Sequence, residues 1–220
     1  MGYDITFHPI GMDELQHFFF DVVDDASKAK ARAKEISKDP KRQQVVLKLY
    51  QAFPIFIQTK MPIGASFCFG AAVIAGFLHP YWYARGHALT FLAENHLPEF
   101  AKLFVPLGQV APSCLSGMAD KSRGMIRGNE SASGVIPPDR IAKAQDLLES
   151  MAKLRGTAGL PLLETALDAD SLDSLRAALA YCREKRLGMI EASDVVVPLT
   201  NQCMTDDKNL RAPYLGKMEP

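Results

Sequence analysis

The sequence has little that would staple or anchor it. It carries four cysteines in 220 residues, Cys68, Cys114, Cys182 and Cys203, all far apart. Without a Cys-x-x-Cys pair, local spacing offers neither a zinc cluster nor a dithiol redox motif, and free thiols in a reducing cytosol are the simplest reading. An excess charge of either sign is also missing: Lys+Arg 25 balances Asp+Glu 25, so no global field draws the chain to nucleic acid or to an anionic membrane. The opening Met1-Gly2-Tyr3-Asp4-Ile5-Thr6-Phe7 has no basic region and no long apolar run before Asp13 and Glu14, which argues against a cleaved signal peptide. Nucleophile elbows, phosphate loops, dinucleotide fingerprints, solenoid repeats and low-complexity tracts are all absent. Nucleotide hydrolysis and hydride transfer are therefore not expected, and no cofactor is implied.

What the sequence does have is core-forming material. With 48% hydrophobic and 23% charged residues, it belongs to the globular class, and its length suits one domain. The uncharged run from Met61 to Leu78 is the one membrane candidate. A spanning helix needs about 20 apolar residues, and this run is marginal in length, opens with Pro62 and Gly64, and holds Gly70, Ala71, Ala72, Ala75 and Gly76 in its middle. Small residues let neighbouring helices approach on every side, so the run reads as the buried central helix of a water-soluble domain, with no membrane partner.

Periodicity organises the rest. Tyr3, Ile5 and Phe7 alternate with polar residues as a half-buried strand does. Helical spacing follows over 12–23, over 26–36, and from Asp39-Pro40 to Pro54, with Asp39 as N-cap. A further helix is predicted from about Pro80 to His96, with Tyr81, Ala84 and Ala88 on one side, and a short one from Pro98 through Phe104. From Pro106 to Pro138 glycine, proline and serine replace periodicity, predicting a long irregular stretch of the kind that is usually functional or disordered. Two helices follow, one capped by Asp139 and stopped by Gly156, the other from Ser171 to Leu187, stopped by Gly188. Val195-Val196-Val197 can form a second strand, so a minor β element can join the first strand to residues 193–198. The expected fold is mainly α: a single-domain helical bundle over 1–200 with a buried central helix and at most a minor β element. A polar C-terminal tail, 201–220, is expected to be partly disordered or docked.

The candidate chemistry is sparse. Glu14 and His17 form one Glu-x-x-His unit, but di-iron bundles need a second unit and further carboxylates, so a solvated helix face is the better account. His87 and His96, nine apart, turn to opposed sides of a helix; His79, before Pro80, reads as hydrogen-bonding backbone at a helix end. No metal site is expected. Ser150 and Lys153 match Ser-x-x-Lys without companion motifs. Lys28, Lys30, Arg32, Lys34, Lys38, Lys41, Arg42 and Lys48 outnumber Glu35 and Asp39, forming a local positive region; a solvated face is the first reading and an acidic protein partner the next, since no aromatic residue interleaves to stack on nucleic acid. The best binding candidates lie in the irregular stretch from Lys121 to Gly134: Lys121, Arg123, Arg127, Asn129, Ser131 and Ser133. Arginine forks, hydroxyls and glycine backbone can hold an anion, or the polar groups can merely satisfy the loop's own turns.

The opening decapeptide Met1 to Ile10 and the segment Gly76 to Gly86 (GFLHPYWYARG) resemble those of uncharacterised bacterial cytosolic proteins, some of them associated with immunity to contact-delivered toxins. The resemblance assigns no functional residue. It implies a cytoplasmic, non-enzymatic protein that binds a protein partner such as a toxin. The alternative is a small enzyme or anion-binding protein that uses the 121–134 loop with a nearby histidine.

Overall fold

The strand that opens the chain lies at the centre of a sheet. A computed structural model describes residues 3–58, 63–86, 98–105, 132–153, 169–193, 195–196, 200 and 202–205. Within them, β1 (Tyr3–Ile10), β2 (Tyr81–Gly86), β3 (Ala132–Ile136), β4 (Gly188–Ser193) and β5 (Gln202–Cys203) form one sheet. The order is β3-β4-β1-β2-β5, and every neighbouring pair is antiparallel. The mainly α bundle with a minor β element is thereby corrected to a helix-covered five-stranded antiparallel sheet.

The reason is burial on both faces. Strand side chains alternate between faces, and helices cover both, so apolar residues alternate with other buried residues and the half-polar signature is lost. Ile5, Phe7, Trp82, Ala84, Ile136 and Met189 share one core with α7 (Ile141–Lys153) and α8 (Ala169–Lys185). Ile10, Tyr81, Val135, Ile190 and Ala192 share the other with α4 (Pro40–Gln58) and α5 (Ile63–Leu78). Tyr81 and Ala84, three apart, fit a helical stripe equally well, but Tyr81–Gly86 is a strand that sets Trp82 opposite Phe7 of β1. The second strand lies earlier than Val195, at Gly188–Ser193, paired with β1 from Ile5↔Ser193 to Ile10↔Gly188. β3 begins inside the stretch read as irregular. Its register shifts between Ala132 and Val135, and Gly134 takes φ 111° there, a bulge conformation that glycine adopts without penalty.

Before α4, the chain forms α1 (Met12–Leu15), a π-helical stretch (Gln16–Phe20), α2 (Asp21–Asp24), a 3-10 turn (Ala26–Lys28) and α3 (Ala29–Ile36). Asp39 caps α4, its Oδ1 accepting from Lys41 N–H at 3.0 Å. The helix then passes through Pro54 to Gln58, further than the proline suggests, with α5 packed against it. Residues 70–77 of α5 are all buried, between the sheet on one side and α4 on the other. Thr205 N–H donates to Gly76 O at 2.8 Å, and a Cβ on Gly76 would collide with Thr205 Oγ1, so the strap beyond β5 needs glycine beneath it. No helix among the described residues is long and apolar enough to cross a membrane. A short helix, α6 (Pro98–Ala101), precedes the bridge between Val105 and Val135.

The stop of α8 is also unlike the one read from sequence. Leu187 N–H donates to Cys182 O at 2.8 Å and Arg186 N–H to Arg183 O at 3.3 Å, a Schellman pair whose left-handed position is Arg186, at φ 58°. Gly188 has a different task. A Cβ there would lie 2.7 Å from Ile136 O, so glycine lets β3 and β4 approach.

Candidate functional site

Two groups of polar side chains stand out, and they differ in how their bonds are used. The first sits where β1 ends and β2 begins. Glu14, in the first turn of α1, accepts from Gly11 N–H at 2.8 Å and meets His79 Nε2 at 2.8 Å through the same oxygen. His79 closes α5, its backbone N–H reaching Ala75 O at 2.9 Å. Its Nδ1 lies 3.4 Å from the hydroxyl of Tyr181 on α8, whose ring packs on Trp82 at 5.3 Å. The hydrogen bond with His79 holds the Glu14 carboxyl below the usual carboxylate range, against the opposing effect of burial and with help from Gly11 N–H. A carboxylate, an imidazole and a phenol thus form a chain from one helical layer to the other.

A histidine oriented by a carboxylate is the arrangement of a general base. Here both ring nitrogens are turned towards protein groups. The Glu-x-x-His unit is divided: Glu14 goes to His79, and His17 Nε2 meets Glu35 at 2.6 Å on a solvent-exposed face. The sequence placed the His79 interaction on backbone, whereas its ring pairs with a side chain 65 positions away.

A second histidine is fully interior. His8 on β1 stacks on Tyr81 at 4.8 Å, and its Nε2 lies 2.8 Å from Thr6 Oγ1. Thr6 Oγ1 also lies within reach of Ala192 O at 3.4 Å, and His8 Nδ1 is buried with no hydrogen-bond partner among the described residues. Burial pushes this imidazole down to about 3, so it is neutral in the folded protein.

The second group surrounds the π-helical stretch. A widened turn leaves carbonyls to be satisfied from outside, and Arg32 Nε donates to His17 O at 3.1 Å while Tyr50 donates to Phe18 O at 2.7 Å. Arg32 also meets Glu35 at 2.8 Å and Asp21 at 3.6 Å. Arg42 donates to Phe77 O at 3.0 Å and lies over the Phe77 ring. Both arginines of the positive region are therefore consumed in holding helices together. Lys28 meets Asp21 at 3.7 Å, but the other lysines behave otherwise. Lys30, Lys34, Lys38, Lys41 and Lys48 are exposed and make no ion pair among the described residues.

On α8, by contrast, each cation is engaged. Arg176 meets Glu149 at 2.8 Å and Asp173 at 3.0 Å, Arg183 donates to Gln145 Oε1 at 3.2 Å, and Lys185 meets Glu184 at 2.9 Å. Gln145, Glu149, Arg176 and Arg183 line an open groove between α7 and α8. Ser150 of the Ser-x-x-Lys match spends its hydroxyl on Asp146 O, one turn back.

No family model, curated protein or solved structure matches the chain. Of the residues singled out in the 121–134 segment, Ser133 belongs to β3; Lys121, Arg123, Arg127, Asn129 and Ser131 lie outside the described residues. His87 and His96 do too. Among the described residues no cluster of three or more His, Cys, Asp or Glu has metal-binding geometry. The Glu14–His79 contact left no local signal, because its partners are joined by the sheet rather than by spacing.

Proposed function

We propose that this chain is a cytoplasmic binding protein whose partner is another protein, with a contact-delivered toxin that it neutralises as the leading case. The observation that supports this is the contrast in bonding. Side chains that could do chemistry (Glu14, His17, His79, Ser150) are committed to intramolecular partners, while Lys30, Lys34, Lys38, Lys41 and Lys48, on α3, α4 and the turn between them, form a run of exposed cations with no ion pair among the described residues. Groups committed inward position structure, and groups left to solvent are available to a partner. In the native host, deletion of the gene is expected to make cells succumb in contact with wild-type siblings, and a tagged chain is expected to elute with one stoichiometric protein. Equal survival removes the toxin case, and elution of the tagged chain alone removes binding.

One observation favours a second reading, a small enzyme: the histidine oriented by Glu14. In that reading His79→Gln abolishes turnover while leaving partner binding untouched. Loss of partner binding with no turnover to lose returns His79 to a structural role. The anion-binding form, with Lys121, Arg123, Arg127, Asn129, Ser131 and Ser133 as the site, is tested by the Arg123→Ala/Arg127→Ala pair. Unchanged partner affinity in that variant removes the 121–134 segment from the surface.

A further inference from the structure

We infer that the α3–α4 hairpin docks an acidic protein surface, an inference that rests on the binding reading above and names its interface. Between Lys28 and Lys48 eight cations face two anions in a chain whose net charge is zero. Helix geometry sorts them. On α4 the buried positions are Val46, Leu49, Tyr50 and Ala52, and the exposed positions Lys41, Gln44, Lys48 and Gln51, spaced three and four, make an outer stripe. Lys30 and Lys34, one turn apart on α3, and Lys38 in the turn extend it. The strip is therefore lysine on a bed of glutamine and alanine, and its arginines face inward.

That composition selects the partner. Phosphate backbones are gripped by guanidinium forks, and single strands by exposed aromatic rings. Arg32 and Arg42 are occupied, and the one exposed large hydrophobic side chain among the described residues is Met204, on the strap beyond β5. Glu35 and Asp39 also stand exposed within the strip, with Asp24 and Asp25 at its edge. A uniform polyanion meets repulsion from these carboxylates, whereas a protein surface rich in Asp and Glu with a few cations of its own matches the mixed pattern. The partner is thus a folded protein presenting a mainly acidic patch, attracted over a Debye length of roughly 10 Å at 0.1 M salt.

The test uses photo-crosslinking residues at Ala31 and Gln44, exposed and uncharged within the strip, and at Ala180 on α8 as the opposite layer. Introduced into the full chain in its host, the probes at 31 and 44 are expected to trap one protein, through a peptide with more Asp and Glu than Lys and Arg. Lys30→Glu, Lys34→Glu and Lys41→Glu together are expected to cut that adduct at least tenfold with the melting temperature unchanged. Should the triple reversal fail to fold, the Lys→Gln triple serves, with a smaller loss expected. A nucleic-acid or lipid adduct overturns the proposal, as does a protein adduct that survives charge reversal. An adduct confined to 180 overturns this interface and leaves the binding reading standing; no adduct at any of the three sites removes both.

Discussion

The two helices that lie directly on the sheet, α5 and α8, solve the same packing problem differently. Over 70–77 α5 has no exposed side, because α4 covers what the sheet does not. α8 keeps an outer face on which Arg176, Arg183 and Lys185 find partners nearby. The consequence for the molecular surface is that the cations of α8 itself, Arg176, Arg183 and Lys185, are engaged, while the α5 side presents α3 and α4, on which Lys30, Lys34, Lys41 and Lys48 make no ion pair among the described residues. Where a helix is covered, its cover becomes the surface available to a partner, and here that cover is basic.

The contrast can be broken by mutation, the largest effect first. Leu175→Ala opens a cavity under α8 and is expected to cost about 2–5 kcal/mol in urea unfolding. Ala72→Leu on α5 has the opposite fault, too much volume between two layers, and is expected to cost about 1–3 kcal/mol. If Ala72→Leu is tolerated and Leu175→Ala is severe, α5 is less tightly held than its burial indicates. The pH dependence sharpens the same comparison, since His8 faces the α5 core. An unfolded histidine titrates near 6.5, and the folded value of His8 lies at about 3. Protons therefore bind the unfolded chain first. Stability from this group is complete above about pH 6.5 and is lost as the pH falls towards 3, by up to about 1.4 kcal/mol per unit. His8→Leu is expected to flatten the slope of unfolding free energy between pH 6 and 4; an unaltered slope assigns it elsewhere. Glu14 acts lower on the scale, its depressed carboxyl adding stability above about pH 4.3 that disappears under more acid conditions. The smallest effect belongs to the end of α8. Arg186→Gly relieves a left-handed non-glycine residue and is expected to raise stability by about 1 kcal/mol, measured as a shift in the urea midpoint.

How much of this was legible follows from the range of each interaction. The Asp39 cap, the apolar stripes of α7 and α8 and the small-residue run of α5 are local, and sequence spacing reports them. β2 and β4 are short and buried on both faces, so Tyr81, Trp82 and Ala84 or Met189, Ile190 and Ala192 carry no alternation for the eye to find. Their identity as strands comes from pairing with β1, which local windows do not contain. The Glu14–His79–Tyr181 chain failed for the same reason: three elements distant in sequence meet only at the end of the sheet. The lysine strip was visible as composition, and the structure added which cations are spent.

Because the first strand is the middle of the sheet, the order of synthesis matters. Thr6 bonds to Ala192, 186 positions later. A chain emerging from the ribosome can pair one edge of β1 once β2 has left the tunnel, but the other edge stays open until β4 follows. During that interval Ile5, Phe7 and Ile10 sit on an exposed hydrogen-bonding edge, the kind of surface that recruits chaperones or sticks to itself. Closing the sheet across so long a loop is a slow event. Translation speed between β2 and β4 therefore becomes a variable in the yield of folded protein, and a nascent chain stalled before residue 188 would present an open β1 edge to its surroundings.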